Sequence, residues 1–254
     1  MEIDLKGKLA VVTGGSGQLG RVICRTLADC GADVAIHYHQ NSDKARELVT
    51  ELQGKGVRAT AVRADVTDQG SVQAMQRQVL AEMGKDPEII VNNAVIQYHW
   101  TNVLEQDVAD YESQFRSCVV HNVLMAKAFV PAMIAKSWGR VIAINTECAM
   151  QVFPNQSAYV SGKRGMDGVL RVLAKEIGPH QVTVNQVAPG WMISEDVPQD
   201  DSEGQRNYRE KVPLRRRGYD QDIANLVVFL ASDLAAFISG QYISVSGGNV
   251  MPTI

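Results

Sequence analysis

The chain has 254 residues, 45% of them hydrophobic and 21% charged, an ordinary globular composition with length enough for one large core. A net charge of −3 gives no basic footprint for nucleic acid. Met1-Glu2-Ile3-Asp4-Leu5-Lys6 lacks the basic-then-apolar order of a signal peptide, and no uninterrupted apolar run is long enough for a bilayer.

Leu9-Ala10-Val11-Val12 reads as a strand, broken by the four glycines between Thr13 and Gly20. Val22, Ile23, Leu27 and Ala28 then fall at helical spacing. Val34-Ala35-Ile36 is the next strand, Asp43 to Leu52 a helix, and Ala59-Thr60-Ala61-Val62 a strand leading into Asp65. Ser71 to Met83 is helical with Ser71 as its cap, and Ile89-Ile90-Val91 is a strand ending at Asn92-Asn93. A long helical region covers Val108 to Ser137, followed by the strand Val141 to Ile144 and a helix from the Tyr159 region to Ile177. Val182 to Val187 is a strand closing at Pro189-Gly190, Ile223 to Ser232 a helix, and Tyr242 to Val245 the last strand. Continuously apolar strands alternating with helices predict an α/β chain, a single-domain doubly wound parallel sheet covered on both faces. The polar stretch Ser194 to Lys211 reads as a long irregular segment, a candidate substrate lid within about 191–212. Cys24, Cys30, Cys118 and Cys148 form no C-x-x-C pair, so reduced thiols in a cytoplasmic protein fit better than disulfides or a metal site.

Two patterns carry chemistry. Gly14, Gly17 and Gly20 are spaced by three between a strand and a helix, with Ser16, Gln18 and Leu19 among them. Backbone N–H groups and a helix dipole can meet a dinucleotide phosphate there, although a tight turn alone also needs glycine. Asp65-Val66 follows the third strand, where a carboxylate can meet an adenine edge or merely cap a turn. Tyr159 and Lys163, four apart, share one face if the stretch is helical. A positive charge beside a phenol favours the phenolate and makes an acid–base group usable nearer neutral pH. Taken alone, the pair also fits an ordinary helix surface.

Thr13-Gly14…Gly20, Asp65-Val66, Asn92-Asn93-Ala94, Asn122, Tyr159-x-x-x-Lys163, Pro189-Gly190 and Gly247-Gly248 stand in an order that resembles the short-chain dehydrogenases/reductases over nearly the whole chain. The most similar branch is that of bacterial 3-oxoacyl-carrier-protein reductases and related sugar, polyol and steroid dehydrogenases. Val212-Pro213-Leu214-Arg215-Arg216-Arg217-Gly218 and Phe229-Leu230-Ala231-Ser232-Asp233 look like that branch too. The resemblance implies a Rossmann-like sheet of about seven strands and an NAD(P)-dependent oxidoreductase. In it Tyr159 is general acid in reduction and base in oxidation. Lys163 holds the nicotinamide ribose and lowers the tyrosine pKa. Asn122 holds a water in a proton relay, and the hydroxyl of Thr146, thirteen positions before the tyrosine, binds the substrate carbonyl. The resemblance also places the cofactor against the glycine loop, Tyr38, His39, Asp65, Val66, Asn93, Ala94, Tyr159, Lys163, Pro189, Gly190 and Ser194. It implies a homotetramer built on the helices around Val119–Ala135 and Tyr159–Ile177 and on the C-terminal strand, with Val250 to Ile254 as an apolar tail against a neighbour.

Departures mark this chain. Thr146 replaces the usual serine and adds a methyl group. Gln18 stands where the branch has glycine, and either donates to the pyrophosphate or crowds it. Val95 replaces glycine after Asn92-Asn93-Ala94, Ser194 replaces threonine, and Ser246 replaces an aspartate in what reads as a structural position. No acid ends the second strand in Ile36-His37-Tyr38-His39-Gln40-Asn41-Ser42, which favours NADP(H), with NAD(H) the alternative. His37 and His39 otherwise read as strand-end residues, not metal ligands, and His121 as a packed helix residue. The expected substrate is a small, partly apolar carbonyl or alcohol. Ile96, Gln97, Tyr98 and Trp100 would line its pocket, with Cys148, Met150, Phe153, Trp191 and Met192 opposite. Arg215-Arg216-Arg217 either attract an acidic acyl carrier or coenzyme A, or form a solvated or oligomer-facing run. Two rival readings are a non-catalytic dinucleotide-binding protein on this fold, and an extended-branch sugar-nucleotide enzyme suggested by the glycine loop.

Overall fold

A computed structural model describes residues 3–194 and 198–251. The first strand, β1 (Leu9–Val12), is wholly buried, and its side chains alternate between two cores. Leu9 and Val11 point to one, Ala10 and Val12 to the other, which is why the strand is apolar at every position. Helix α1 (Gln18–Asp29) follows, then β2 (Asp33–Tyr38), α2 (Ser42–Gly54), β3 (Ala59–Arg63), α3 (Gln69–Met83) and β4 (Ile89–Asn92). After a long connection come α4 (Val108–Gln114), a π-helical turn (Phe115–Val120), α5 (His121–Lys136) and β5 (Gly139–Ile144). The rest is α6 (Cys148–Gln151), α7 (Ser157–Ile177), β6 (Val182–Pro189), β7 (Met192–Ile193), α8 (Glu203–Lys211), β8 (Gly218–Tyr219), α9 (Asp220–Ala231) and β9 (Tyr242–Val245).

Seven parallel strands pair in the order β3-β2-β1-β4-β5-β6-β9. Ile23, Leu27, Leu48 and Val227 bring α1, α2 and α9 onto one face, and Val79, Phe129 and Leu170 bring α3, α5 and α7 onto the other. Each large side chain buried this fully contributes roughly 1.5–3 kcal/mol. Chain order reverses between β1 and β4, and the crevice at the carboxyl ends of such strands is where open α/β sheets bind ligands.

Three expectations need correction. Asp68, not Ser71, caps α3: its carboxylate accepts the Ser71 N–H at 2.7 Å, while the Ser71 hydroxyl accepts the Asp65 N–H at 2.8 Å. The segment Ser194 to Lys211 contains α8, a helix with little apolar signal because only Gln205 is buried on it. Residues 195–197 and 252–254 of the expected lid and tail lie outside the described residues. The helical run Val108–Lys136 is long and apolar enough for a membrane by length and composition only, and half of its apolar window is buried, with Met125, Phe129 and Met133 in the core. Finally, its middle is a π turn, a feature that recurs near functional sites. It lies directly before Asn122.

Candidate active site

Loops after β1, β2, β3, β4, β5 and β6 enclose a cavity of about 690 Å³, within the usual range for cofactor pockets. Gly17 caps α1, so the free N–H groups of the helix start face this space. Gly14 has φ +63°, and a Cβ there would stand 3.1 Å from the Ala94 Cα. At Gly20 a Cβ would collide with the Gly14 carbonyl and lie 2.8 Å from the Gly15 Cα. The turn is therefore closed to side chains at both glycines, with room for a ligand's close approach to the backbone. Thr13 ties it across the switch point, its Oγ accepting the N–H groups of Asn93 at 2.8 Å and Ala94 at 3.1 Å.

His37 holds the same loop from below. Its Nδ1 accepts the Gly14 N–H at 2.9 Å, which leaves Nε2 to donate to the Ala64 carbonyl at 3.0 Å. Burial pulls its pKa down to about 4, so the ring stays neutral and Nδ1 stays an acceptor at physiological pH. Sequence reading left His37 as a strand-end residue. Its polarity inside an apolar strand, two positions before His39, was the available signal.

The expected cofactor residues line this cavity with two exceptions. Tyr38 turns to the opposite face of β2 from His37 and packs on the first core, as strand alternation requires. Ser194 follows β7, which pairs with β8 and leads away from the wall. The Gln18 amide donates to the Asp220 carboxylate, 3.4 Å away, while the residue lines the cavity. Val95 leans on the second core while lining the cavity. Burial pushes the Asp65 carboxyl up, but hydrogen bonds from the Thr67 N–H and hydroxyl outweigh this and hold it below its usual range. Arg63, which sequence reading passed over, donates to the carbonyl of His39, a residue that lines the cavity, at 3.2 Å.

Thr146, Tyr159 and Lys163 come together where β5 ends and α7 begins. Asn145 arranges them: its Oδ1 accepts the Thr146 N–H at 2.9 Å, and its Nδ2 donates to the Lys163 carbonyl at 3.3 Å and to Gln186 at 2.7 Å. Oγ of Thr146 accepts the Cys148 N–H at 3.2 Å, leaving its proton for another partner. Tyr159 sits in the first turn of α7, its N–H held by the Tyr98 hydroxyl at 2.8 Å and its ring stacked on Trp100 at 5.8 Å.

The electrostatics differ from the expectation. Burial pushes the Tyr159 phenol above its ordinary value, and the Thr146 hydroxyl only partly opposes this. Burial also pulls the Lys163 ammonium down. Its Nζ donates to the Ile144 carbonyl at 2.6 Å and stands 5.7 Å from the centre of the Tyr159 ring. In this state Tyr159 is a firmly protonated acid. Asn122 does not line the cavity; it is buried behind Asn92, which donates to its Oδ1 at 2.7 Å, while its own Nδ2 donates to the Cys118 carbonyl at 2.7 Å. His121 is packed, as expected, with burial holding its pKa near 3.

A second cavity of about 550 Å³ meets the first at Thr146, Tyr159 and Gly190. Met150 and Met192 do not line it: Cys148 and Gln151 share the pocket face of α6 at three-residue spacing, and Met192 packs on the first core. Instead Glu147, Gln151, Gln156 and Tyr208 join the wall. Glu147 is 4% exposed; its carboxylate accepts the Tyr208 hydroxyl at 2.8 Å and the Asn249 amide at 3.1 Å. Burial pushes its pKa up against those hydrogen bonds. The Tyr208 oxygen accepts the Trp191 N–H at 2.8 Å, so α8 is tied to the pocket floor.

Arg217 departs from the reading of the arginine run as solvated or oligomer-facing, whereas Arg215 and Arg216 are exposed as that reading expects. It is fully buried, donates to the carbonyls of Trp191, Met192 and Pro198, and lies over the Trp191 ring at 4.5 Å. Arg217→Ala strips three partly buried carbonyls of a donor and leaves a cavity at a fully buried side chain, and we expect it to cost about 1–3 kcal/mol in urea unfolding and to raise KM. Unchanged stability and KM would remove Arg217 from this role.

The profile of a family described as enoyl-(acyl carrier protein) reductase matches residues 16–249. The chain belongs to the short-chain dehydrogenase/reductase family. As a member it is a nicotinamide-dependent oxidoreductase. It is 34% identical to a 3-oxoacyl-[acyl-carrier-protein] reductase of Staphylococcus aureus, covering 96% of this chain and 98% of the relative. A 7α-hydroxysteroid dehydrogenase solved with NADH and 7-oxo glycochenodeoxycholic acid superposes with TM-score 0.91 at 29% identity, covering 99% and 97% of the two chains. A putative gluconate dehydrogenase from Agrobacterium tumefaciens gives 0.92 at 27%, covering 99% and 100%. These family members share the fold and differ in the substrates their names give.

Proposed function

We propose that this protein interconverts a carbonyl and a secondary alcohol at Tyr159, using NADP(H) in preference to NAD(H). The observation carrying this reading is the meeting of the two cavities at Thr146 and Tyr159. The glycine cradle, Asp65, Asn93 and the wall at Pro189-Gly190 suit a dinucleotide, which when bound supplies hydride to a carbonyl carbon or takes it from a carbinol. Thr146 donates its hydroxyl proton to the substrate oxygen, and Tyr159 protonates that oxygen as it gains charge. The Lys163 ammonium offsets the phenolate left behind and holds the ribose. Asn122, buried behind Asn92 and bonded to the Cys118 carbonyl, stands off the cavity and supports the wall from behind. The raised phenol suits the reducing direction, in which the group must start as an acid.

Two features support NADP(H). No acid ends β2 to take a ribose hydroxyl, and Arg63 brings a cation beside His39 for a 2′-phosphate. The Gln18 amide has a protein partner in Asp220, which weighs against the reading of the protein as a non-catalytic binder. We take the enzyme to work in the cytoplasm as a homotetramer, a state for which exposed Phe115 and Val172 on the long helices offer apolar surface. The test is turnover of 3-oxoacyl, sugar and steroid carbonyls with each cofactor, the 3-oxoacyl thioester first because of the relatives' names. We expect turnover with NADPH ahead of NADH. A clear preference for NADH would overturn the cofactor reading, and none with either would overturn the function.

A further inference from the structure

The pocket beside Tyr159 holds hydrogen-bond acceptors that no protein donor meets. Glu147 lines it directly after the substrate-binding Thr146. A carboxylate offers about four acceptor sites; the Tyr208 and Asn249 side chains take one on each oxygen and the Trp191 N–H also bears on the group, which leaves acceptor capacity for a further donor. Gln151 and Gln156 line the same cavity, and the Oε1 of each is buried with no hydrogen-bond partner. Burying an acceptor without a donor costs free energy, so an acceptor set of this kind fits a ligand that brings donors. The remaining wall is aromatic, with Trp100, Phe153 and Trp191 able to cover the apolar face of such a ligand.

We propose that Glu147, with Gln151 and Gln156, selects substrates that carry a hydrogen-bond donor, a hydroxyl or an ammonium, next to the reacting carbonyl or carbinol. This rests on the carbonyl/alcohol reading above and narrows it. A plain 3-oxoacyl chain presents only methylene groups to these acceptors. A polyhydroxylated carbonyl satisfies them, and Glu147 is the specificity-determining residue for the donor.

Trp100 and Trp191 line the pocket, so their fluorescence reports binding whether or not turnover follows. The experiment titrates the NADPH-loaded enzyme with a hydroxyketone, its deoxy analogue and its amino analogue, and measures kcat and KM for the same compounds. We expect the hydroxyl or the amino compound to bind roughly 10- to 100-fold tighter than the deoxy compound, the difference appearing in KM. In Glu147→Leu the advantage should fall to within about threefold, and in Glu147→Gln, which keeps an acceptor and partners for Tyr208 and Asn249, part of it should return. Equal binding of all three compounds by wild type overturns the proposal, as does discrimination unchanged in Glu147→Leu. If the binding difference holds but no compound is turned over with either cofactor, the donor site stands and the oxidoreductase reading of this pocket falls.

Discussion

Tyr159→Phe is expected to lower kcat by about 10²–10⁴-fold, the usual worth of a positioned general acid, with the dinucleotide Kd changed little. The substitution removes one oxygen. The ring that stacks on Trp100 remains, and so does the N–H held by Tyr98, so α7 keeps its start. Lys163 keeps its bond to the Ile144 carbonyl. Thr146 still polarises the carbonyl, but no group can then deliver the proton. The measurement is single-turnover kinetics beside a cofactor titration. A kcat within about threefold of wild type would take Tyr159 out of the acid–base role.

Gly20→Ala is the second large effect, and here two forces oppose one another. In an exposed helix interior alanine is favoured over glycine by roughly 1 kcal/mol. At this position the added Cβ collides with the Gly14 carbonyl and lies 2.8 Å from the Gly15 Cα, both rigid backbone. Overpacking of this kind typically costs 1–3 kcal/mol, so the collision wins. The loop must open, and with it the line of N–H groups at the start of α1. We expect dinucleotide affinity to fall at least about tenfold and the unfolding midpoint to drop. Unaltered affinity would mean that the cofactor does not rely on this turn.

Both residues were legible in the sequence. Gly20 belongs to a glycine spacing of three where a strand gives way to a helix, and Tyr159 with Lys163 fits one helical face; spacing made them candidates, and the order of motifs that resembles the family gave them their roles. The strands were legible because burial on both faces makes every position apolar, as in Leu9 to Val12. What escaped depends on partners distant in sequence. Arg217 looks solvated among three arginines, and its burial is decided by the carbonyls of Trp191, Met192 and Pro198. Glu147 drew no notice because its partners, Tyr208 and Asn249, are 61 and 102 positions away. Helix α8 escaped because it buries almost nothing of its own and hangs on Tyr208. The cap of α3 was misjudged because Asp68 and Ser71 are both competent cap residues, and only the backbone of Asp68 is extended.

The account stands on hydride passing between the cofactor and a substrate carbon beside Tyr159. Its most direct test is reduction with NADPH carrying deuterium on the transferable carbon of the nicotinamide, using the best carbonyl from the panel. We expect the label on the new carbinol carbon, and a loss of that product in Tyr159→Phe in step with the fall in kcat. A carbinol without label, or cofactor oxidation that leaves the carbonyl intact, would contradict it.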